Sequence, residues 1–264
     1  MSAILLDDEL LHYEVLGRGR PILFFHGWVG SWRYWIPAMQ ATSMAFRTYA
    51  LDLWGFGDSA KNQRLYTLEQ QAGLIERFMD QMGMGRVALV GHGLGAVAAT
   101  LFTRAHPEAV DRLMAISCPL EAGMVSQRLR GAAAGELTDW LLGRGPIDVT
   151  EAARTDAPKA DPQAIQASLK LLPGLNFKEF TYGVFTPRLL VHGLNDPAIE
   201  APRIEQYADL PEGTHQVVFD QSGHFPMLDE GSKFNRLLAD FLNLPSGDTP
   251  RQLQLKEEWK RRVR

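Results

Sequence analysis

The chain has little cysteine, no long hydrophobic run and no strong charge of either sign. Its single cysteine, Cys118, cannot form an internal disulfide, which excludes a disulfide scaffold and favours a reducing compartment. No apolar run reaches the roughly 18 residues that a membrane-spanning helix needs. The formal net charge of −4 gives no basic field for nucleic acid. The N-terminal acids Asp7, Asp8 and Glu9 are unlike a basic signal peptide, and we predict a cytoplasmic protein.

Signatures of cofactors are also sparse. We find no group of His, Cys and acidic residues with the spacing of metal ligands, so we predict no metal and no cofactor. Residues 91–96, Gly-His-Gly-Leu-Gly-Ala, fit a loose form of the dinucleotide fingerprint. That fingerprint needs an acid at the far end of the next strand, whereas Asp111 stands near its start. A dinucleotide site is therefore not expected.

What the chain does have is the composition and pattern of a large α/β core. Its 264 residues are 45% hydrophobic and 22% charged. Apolar runs typical of strands buried on both faces alternate with helical segments, which predicts a mostly parallel sheet with helices on both faces. The predicted strands follow an antiparallel hairpin at 4–6 and 10–15 and cover 21–27, 46–53, 86–90, 110–116, 187–193 and 215–219. Helices are predicted at 32–36, 67–84, 94–105, 204–210 and 230–242.

Composition divides the chain into a core and an insertion. Residues 1–118 and 187–245 carry the strand and helix pattern and are predicted to form the core. Residues 119–186 are rich in Ala, Gly, Pro and polar side chains and have little strand signal. We predict that this segment is a helical cap, with short helices near 125–130, 136–142 and 165–172.

The C-terminal tail, residues 246–264, differs from both parts. Its stretch 251–264 holds six basic residues, and Leu255, Trp259 and Val263 recur every four positions. A terminal helix that packs on the domain is the simpler interpretation. The alternative is contact with a protein partner or an anionic membrane surface.

A sharp turn is predicted between the strand at 86–90 and the helix at 94–105. Its sequence is Gly91-His92-Gly93-Leu94-Gly95, followed by small residues. This pattern is G-x-S-x-G with its central serine replaced by Gly93. The outer glycines allow the strand and the helix to approach closely around the turn.

Five motifs in order along the chain resemble those of the α/β-hydrolase superfamily, and the resemblance covers nearly the whole length. The similarity is to small esterases, C–C bond hydrolases and haloperoxidase-like members that carry a helical cap. The order of elbow, acid and histidine is the order that this fold uses. The motifs are His26-Gly27-Trp28, Asp52–Ser59 (Asp-x-x-Gly-x-Gly-x-Ser), Gly91–Gly95, His192–Pro197 and Ser222–Pro226.

The resemblance implies a role for each motif. Asp196 would hold the imidazole of His224 in one tautomer, so that His224 acts as the base. The backbone N–H groups of Trp28 and Leu94 would form an oxyanion hole, aided by the N-terminus of the following helix. The nucleophile position is Gly93, which has no side chain to attack a substrate.

Other interpretations stay open at several positions. Glu121 is a fallback acid, and Cys118 follows a strand whose end would line the site. Trp28, Trp32 and Trp35 are candidates for an apolar pocket wall, although core packing explains the last two equally well. His26, His92 and His192 are interpreted as structural residues of their turns.

Three functions fit a hydrolase sequence without its nucleophile. In the first, covalent acyl-enzyme hydrolysis is lost and the chain is a ligand-binding or scaffold protein. In the second, His224 with Asp196 acts as a general base in lyase-like or oxygenase-like chemistry. In the third, an active serine hydrolase has been inactivated by a serine-to-glycine substitution in this particular sequence. In each case the expected ligand is a small apolar molecule beneath the cap.

Overall fold

Eight strands form a single sheet in the computed structural model, which describes residues 2–131, 134–143, 147–174, 176, 185–202, 210 and 213–255. The strands are β1 (Ser2–Leu6), β2 (Glu9–Gly17), β3 (Arg20–Phe25), β4 (Phe46–Leu51), β5 (Val87–His92), β6 (Val110–Ile116), β7 (Arg188–Gly193) and β8 (Thr214–Phe219). Their order is β1-β2-β4-β3-β5-β6-β7-β8. The β1/β2 and β2/β4 pairs are antiparallel, and the pairs from β4 to β8 are parallel. This confirms the predicted hairpin and mostly parallel sheet.

The sheet register brings the functional motifs to one edge. Phe25 pairs with Gly91, Gly91 with Ala115, and Ala115 with Leu190. The carboxyl ends of β3, β5, β6 and β7 therefore lie side by side, and β5 and β7 are buried throughout. Ligands of open α/β sheets bind at this edge, because the connecting loops meet there.

Nine α-helices are found among the described residues. They are α1 (Ile36–Thr42), α2 (Leu68–Gln81), α3 (Leu94–Ala105), α4 (Gln127–Gly131), α5 (Ala134–Leu142), α6 (Ile147–Asp156), α7 (Pro162–Leu171), α8 (Pro226–Asp229) and α9 (Gly231–Leu242). Thr67 caps α2 by accepting a hydrogen bond from the Gln70 N–H. The side chain of Ser31 also accepts a cap hydrogen bond, but the first turn after it is a 3₁₀ helix, Trp32–Trp35, and α1 begins only at Ile36.

The segment between β6 and β7 supplies α4 to α7. Helix α6 has no counterpart in the sequence prediction, whereas α4, α5 and α7 lie close to the predicted helices. Asp156 at the end of α6 contacts the core, because its Oδ2 accepts from Ser31 Oγ at 2.6 Å and Arg33 Nε at 2.8 Å. Whether the segment functions as a cap stays a prediction.

Two predicted elements fall largely outside the described residues. They are the helix at 204–210, of which only residue 210 is described, and the tail beyond residue 255. The described start of the tail is a 3₁₀ helix, Pro250–Leu255. Within the described ranges, every helix falls short of the length and apolarity that a bilayer crossing needs.

Candidate active site

The turn between β5 and α3 has a backbone that only glycine adopts easily. Gly93 has φ +50° and ψ −113°, outside the regions that ordinary residues favour. A Cβ on Gly91 would lie 2.5 Å from the Gly95 carbonyl oxygen, and one on Gly95 would lie 2.5 Å from the Phe25 carbonyl oxygen. Gly91 of β5 therefore packs directly against the start of α3, and Gly95 of α3 packs against the end of β3. Gly93 lies at the apex of the bend between β5 and α3.

Asp196 and His224 lie on the loops after β7 and β8 and form a buried hydrogen-bonded pair. The Asp196 Oδ2 atom is 2.9 Å from His224 Nδ1, and both side chains are fully shielded from solvent. Asp196 Oδ1 accepts from the N–H groups of Ala198 at 2.8 Å and Ile199 at 3.0 Å. Burial opposes ionisation of Asp196, but the attraction and hydrogen bond of His224 and the two amides outweigh it, so the Asp196 pKa is lowered. Asp196 is thus a carboxylate that fixes the Nδ1–H tautomer.

The second ring nitrogen of His224 has no partner among the residues that the structure describes. His224 Nε2 is buried and makes no hydrogen bond within the described part of the chain. Nε2 lies across the ring from Asp196, so its lone pair is directed away from the carboxylate. A buried polar atom without a partner costs free energy unless a ligand or water satisfies it. This geometry leaves the imidazole ready to accept a proton.

The backbone of His224 is held by two side chains from the sheet edge. The His224 carbonyl oxygen accepts from His92 Nε2 at 2.9 Å and from Ser117 Oγ at 3.1 Å. His92 Nδ1 is 2.9 Å from the Tyr34 hydroxyl, which itself accepts from the Gly27 N–H at 2.7 Å. Because burial holds the His92 pKa well below its usual value, this ring stays neutral and serves the scaffold.

The turn after β3 fixes the direction of the Trp28 backbone N–H group. His26 Nδ1 lies 2.8 Å from the Gly27 carbonyl oxygen, and its Nε2 accepts from the Leu53 N–H at 3.0 Å. Since a trans peptide places its C=O and N–H on opposite sides, fixing the Gly27 carbonyl turns the Trp28 N–H the other way. Leu94 is the first residue of α3, where amide groups lack an intrahelical acceptor. The flanking amides of Gly93 and Gly95 are bound to Ile116 and His26 carbonyl oxygens.

The indole of Trp28 lies directly over Gly93. A Cβ built on Gly93 would be 3.0 and 3.1 Å from two carbons of this ring. Trp28 Nε1 donates to Ser168 Oγ on α7 at 3.0 Å, and the ring lies nearly parallel to the His224 ring with centroids 6.2 Å apart. Trp28 thus connects the elbow, the histidine and the segment between β6 and β7.

The fallback candidates are placed differently. His224 Nδ1 is bound by Asp196, so Glu121 is not its partner. Cys118 is buried, and burial raises the pKa of its thiol to about 12, which leaves almost no thiolate to attack a substrate. The structure thus supports neither Glu121 as the acid nor Cys118 as an attacking group.

One group of potential metal ligands occurs among the described residues, although no such group was expected. His12, Asp52 and Asp58 place donor atoms within 4.8 Å of one another. Asp52 already accepts from His12 Nδ1 and from two backbone amides, and Lys159 Nζ lies 3.0 Å from both Asp58 oxygens. These bonds engage both carboxylates and hold the 52–59 turn.

Several residues of the site could not be identified from the sequence. Tyr34 and Ser117 hold the scaffold of His224, and Ser168 binds the Trp28 indole across 140 positions of the chain. None of them belongs to a local motif, so no sequence signal marks them.

Fold and motifs together define the class of protein. Residues 22–237 match the profile of the alpha/beta hydrolase family, and the chain belongs to that family. A pimeloyl-[acyl-carrier protein] methyl ester esterase of Vibrio cholerae is 26% identical over 253 residues, covering 88% of this chain and 97% of the relative. A 2-hydroxy-6-oxo-6-(2'-aminophenyl)hexa-2,4-dienoic acid hydrolase of Metapseudomonas resinovorans is 23% identical and covers 88% and 87%.

Solved structures share the fold. An esterase from Exiguobacterium antarcticum superposes with a TM-score of 0.81 at 19% identity, covering 92% of this chain and 99% of the esterase. A serine-to-glycine mutant of an N-acyl homoserine lactonase, complexed with N-hexanoyl homoserine lactone, superposes with a TM-score of 0.78 at 20% identity. It covers 91% of this chain and 96% of that one.

Proposed function

We propose that this hydrolase-family chain does not form an acyl-enzyme and that His224 acts as a general base on a bound carbonyl compound. The observation that carries the proposal is the buried Asp196–His224 pair with an unpartnered Nε2. In a scaffold protein, a buried lone pair without a partner would only cost free energy. A general base, in contrast, needs that lone pair free to accept a proton. Gly93 supplies no attacking atom.

The proposed step is a proton transfer. His224 Nε2 accepts a proton from the C–H next to the ligand carbonyl, and Asp196 stabilises the imidazolium that forms. The electrons of the broken C–H bond move towards the carbonyl oxygen to give an enolate, and the N–H groups of Trp28 and Leu94 bind its negative charge. The proton then returns to the α-carbon as the enolate collapses back to the carbonyl. No covalent bond to the protein is needed.

Magnitudes favour proton abstraction over ester hydrolysis. When a serine protease loses its nucleophile, oxyanion binding and positioning leave only roughly 10³–10⁴-fold acceleration over water. Ester turnover that depends on an acyl-enzyme would therefore be slow. The proposed ligand is a small, largely apolar ketone, ester or lactone; the names of the relatives include a methyl ester, an oxo acid and a lactone.

Solvent deuterium incorporation tests this function. Cyclohexanone, γ-decalactone and p-nitrophenyl acetate are incubated with the chain in D₂O, and exchange at the α-carbon is followed by ¹H NMR. We expect exchange above the buffer rate that is lost in His224→Ala and kept in His106→Ala, a control on a half-exposed histidine. Exchange that survives His224→Ala, or no catalysed exchange across the panel, would count against the proposal.

Ligand binding without turnover is the second candidate, and the Trp28 ring over Gly93 favours it, because the ring fills part of the space near the elbow. A binding protein should hold its ligand equally well after His224→Ala. The serine-to-glycine mutant of the lactonase is complexed with N-hexanoyl homoserine lactone. A glycine that replaces serine in this sequence by substitution is therefore compatible with binding as well.

A further inference from the structure

Trp28 and Ser168 form a hydrogen-bonded pair next to Gly93, the proposed nucleophile position. Trp28 is 1% exposed and Ser168 is completely buried, and they meet through one hydrogen bond of 3.0 Å from indole to hydroxyl. Ser168 Oγ in turn donates to the Ile165 carbonyl oxygen at 2.8 Å, which fixes the hydroxyl on α7. The indole is therefore held through its N–H and is buried on its remaining surface.

The held ring leaves little room for a side chain at residue 93. A Cβ there would meet ring carbons of Trp28 at 3.0 and 3.1 Å, closer than side chains normally pack. The Gly27 Cα would be 3.4 Å away on the same side. To admit even a methyl group, the ring must shift by a few tenths of an ångström, and its hydrogen bond to Ser168 opposes that shift.

We infer that the Trp28 side chain, positioned by Ser168, covers residue 93 and shields any reactive group placed there. The inference rests on the proposed function only in that both take residue 93 as the nucleophile position. It assigns Trp28 and Ser168 a positioning role that the sequence motifs do not assign. A serine or thiol introduced at residue 93 would be shielded from reagents until the ring is released.

A thiol reporter tests the inference without any substrate turnover. Gly93→Cys is alkylated with iodoacetamide, in which the thiolate sulfur bonds to carbon and iodide leaves, and adduct formation is timed by intact mass. The native chain serves as the blank, because its Cys118 is buried. We expect slow labelling of Cys at residue 93 and an increase of at least about tenfold when Trp28→Phe or Ser168→Ala is added.

Matched controls separate shielding from general loosening. Trp35→Phe trims another buried indole, and Thr103→Val removes another buried helix hydroxyl that bonds a backbone carbonyl. Both should leave the labelling rate unchanged while lowering the unfolding midpoint to a similar degree. Equal rates in all backgrounds, or equal acceleration by the controls, would overturn the inference. Neither result bears on deuterium exchange by the native chain, so the two proposals fail separately.

If Gly93→Cys does not fold, the native glycine chain gives a second measurement. With 5-fluorotryptophan incorporated, the Trp28 resonance is the one absent from Trp28→Phe. We expect the fluorine chemical shift of Trp28 to be insensitive to exchange of H₂O for D₂O. In Ser168→Ala this chemical shift should become sensitive to the exchange. A solvent-sensitive Trp28 resonance in the native chain would overturn the inference.

Discussion

At the scale of single residues, Gly93 combines an unusual backbone with a crowded space. Its φ of +50° is costly for any residue with a Cβ, and ring carbons of Trp28 would lie only 3.0 and 3.1 Å from that Cβ. Glycine therefore relieves strain at the position where we propose that the nucleophile is absent.

Gly93→Ala should for this reason destabilise the fold by about 1–3 kcal/mol. The measurement is the free energy of unfolding in urea. Gly123→Ala is the matched control, since a Cβ there meets nothing within 4 Å, and its φ is not positive. Equal unfolding free energies for the two variants would show that neither the backbone nor the ring constrains residue 93.

At the scale of elements, Asp156 is one of the residues that attach the segment between β6 and β7 to the core. Burial opposes its ionisation, yet Ser31, Arg33 and Lys159 outweigh burial and lower the Asp156 pKa. A depressed carboxyl pKa stabilises the fold above the ordinary pKa of about 3.8, and this gain is lost as pH falls through the folded value.

Asp156→Ala should accordingly loosen α6 and the neighbouring turn at neutral pH. The expected loss is about 1–3 kcal/mol, because the Ser31 hydroxyl and two cations lose their acceptor. Limited proteolysis at pH 7 should cleave the variant faster within 147–160. Asp139→Ala removes an exposed ion pair to Arg154 on the same segment and should change little. Identical cleavage of both variants would contradict the assigned attachment.

The elements themselves differ in how far the sequence predicts them. Apolar runs predict β3, β5 and β7, because burial on both faces leaves a direct signature in composition. Helix α6 has no such signature, since its packing depends on Asp156 reaching residues more than 120 positions away. Ser168 cannot be identified from the sequence either, because its partner Trp28 is 140 positions away.

The sequence predicts the two residues of the Asp196–His224 pair but not the contact between them. Motifs mark Asp196 and His224 as loop residues after strands, but their 2.9 Å hydrogen bond requires the parallel β7/β8 register, in which Gly193 faces Phe219. The unpartnered state of His224 Nε2 is a property of the packed structure alone.

At the scale of the whole molecule, three buried neutral histidines should make stability depend on pH. Burial lowers the pKa values of His26, His92 and His192. The unfolded chain binds protons at these rings below pH 6.5 while the folded chain does not, so stability falls as pH drops from 6.5 towards the folded values.

The expected slope is up to about 1.4 kcal/mol per pH unit for each ring. His12, whose pKa is raised by Asp52 against the effect of burial, acts in the opposite sense only above pH 6.5. Urea unfolding between pH 5 and 7 measures the slope, and His192→Gln should reduce it. A stability that is flat or rises on acidification would contradict neutral burial of these rings.

The most direct test of the account is the reaction of the chain with a fluorophosphonate, read by intact mass. The account predicts no adduct on the native chain, because residue 93 offers no attacking atom and Cys118 is buried as a thiol. Gly93→Ser combined with Ser168→Ala should gain one adduct, and adding His224→Ala should abolish it. A stoichiometric adduct on the native chain would show that another side chain serves as nucleophile and would contradict the account.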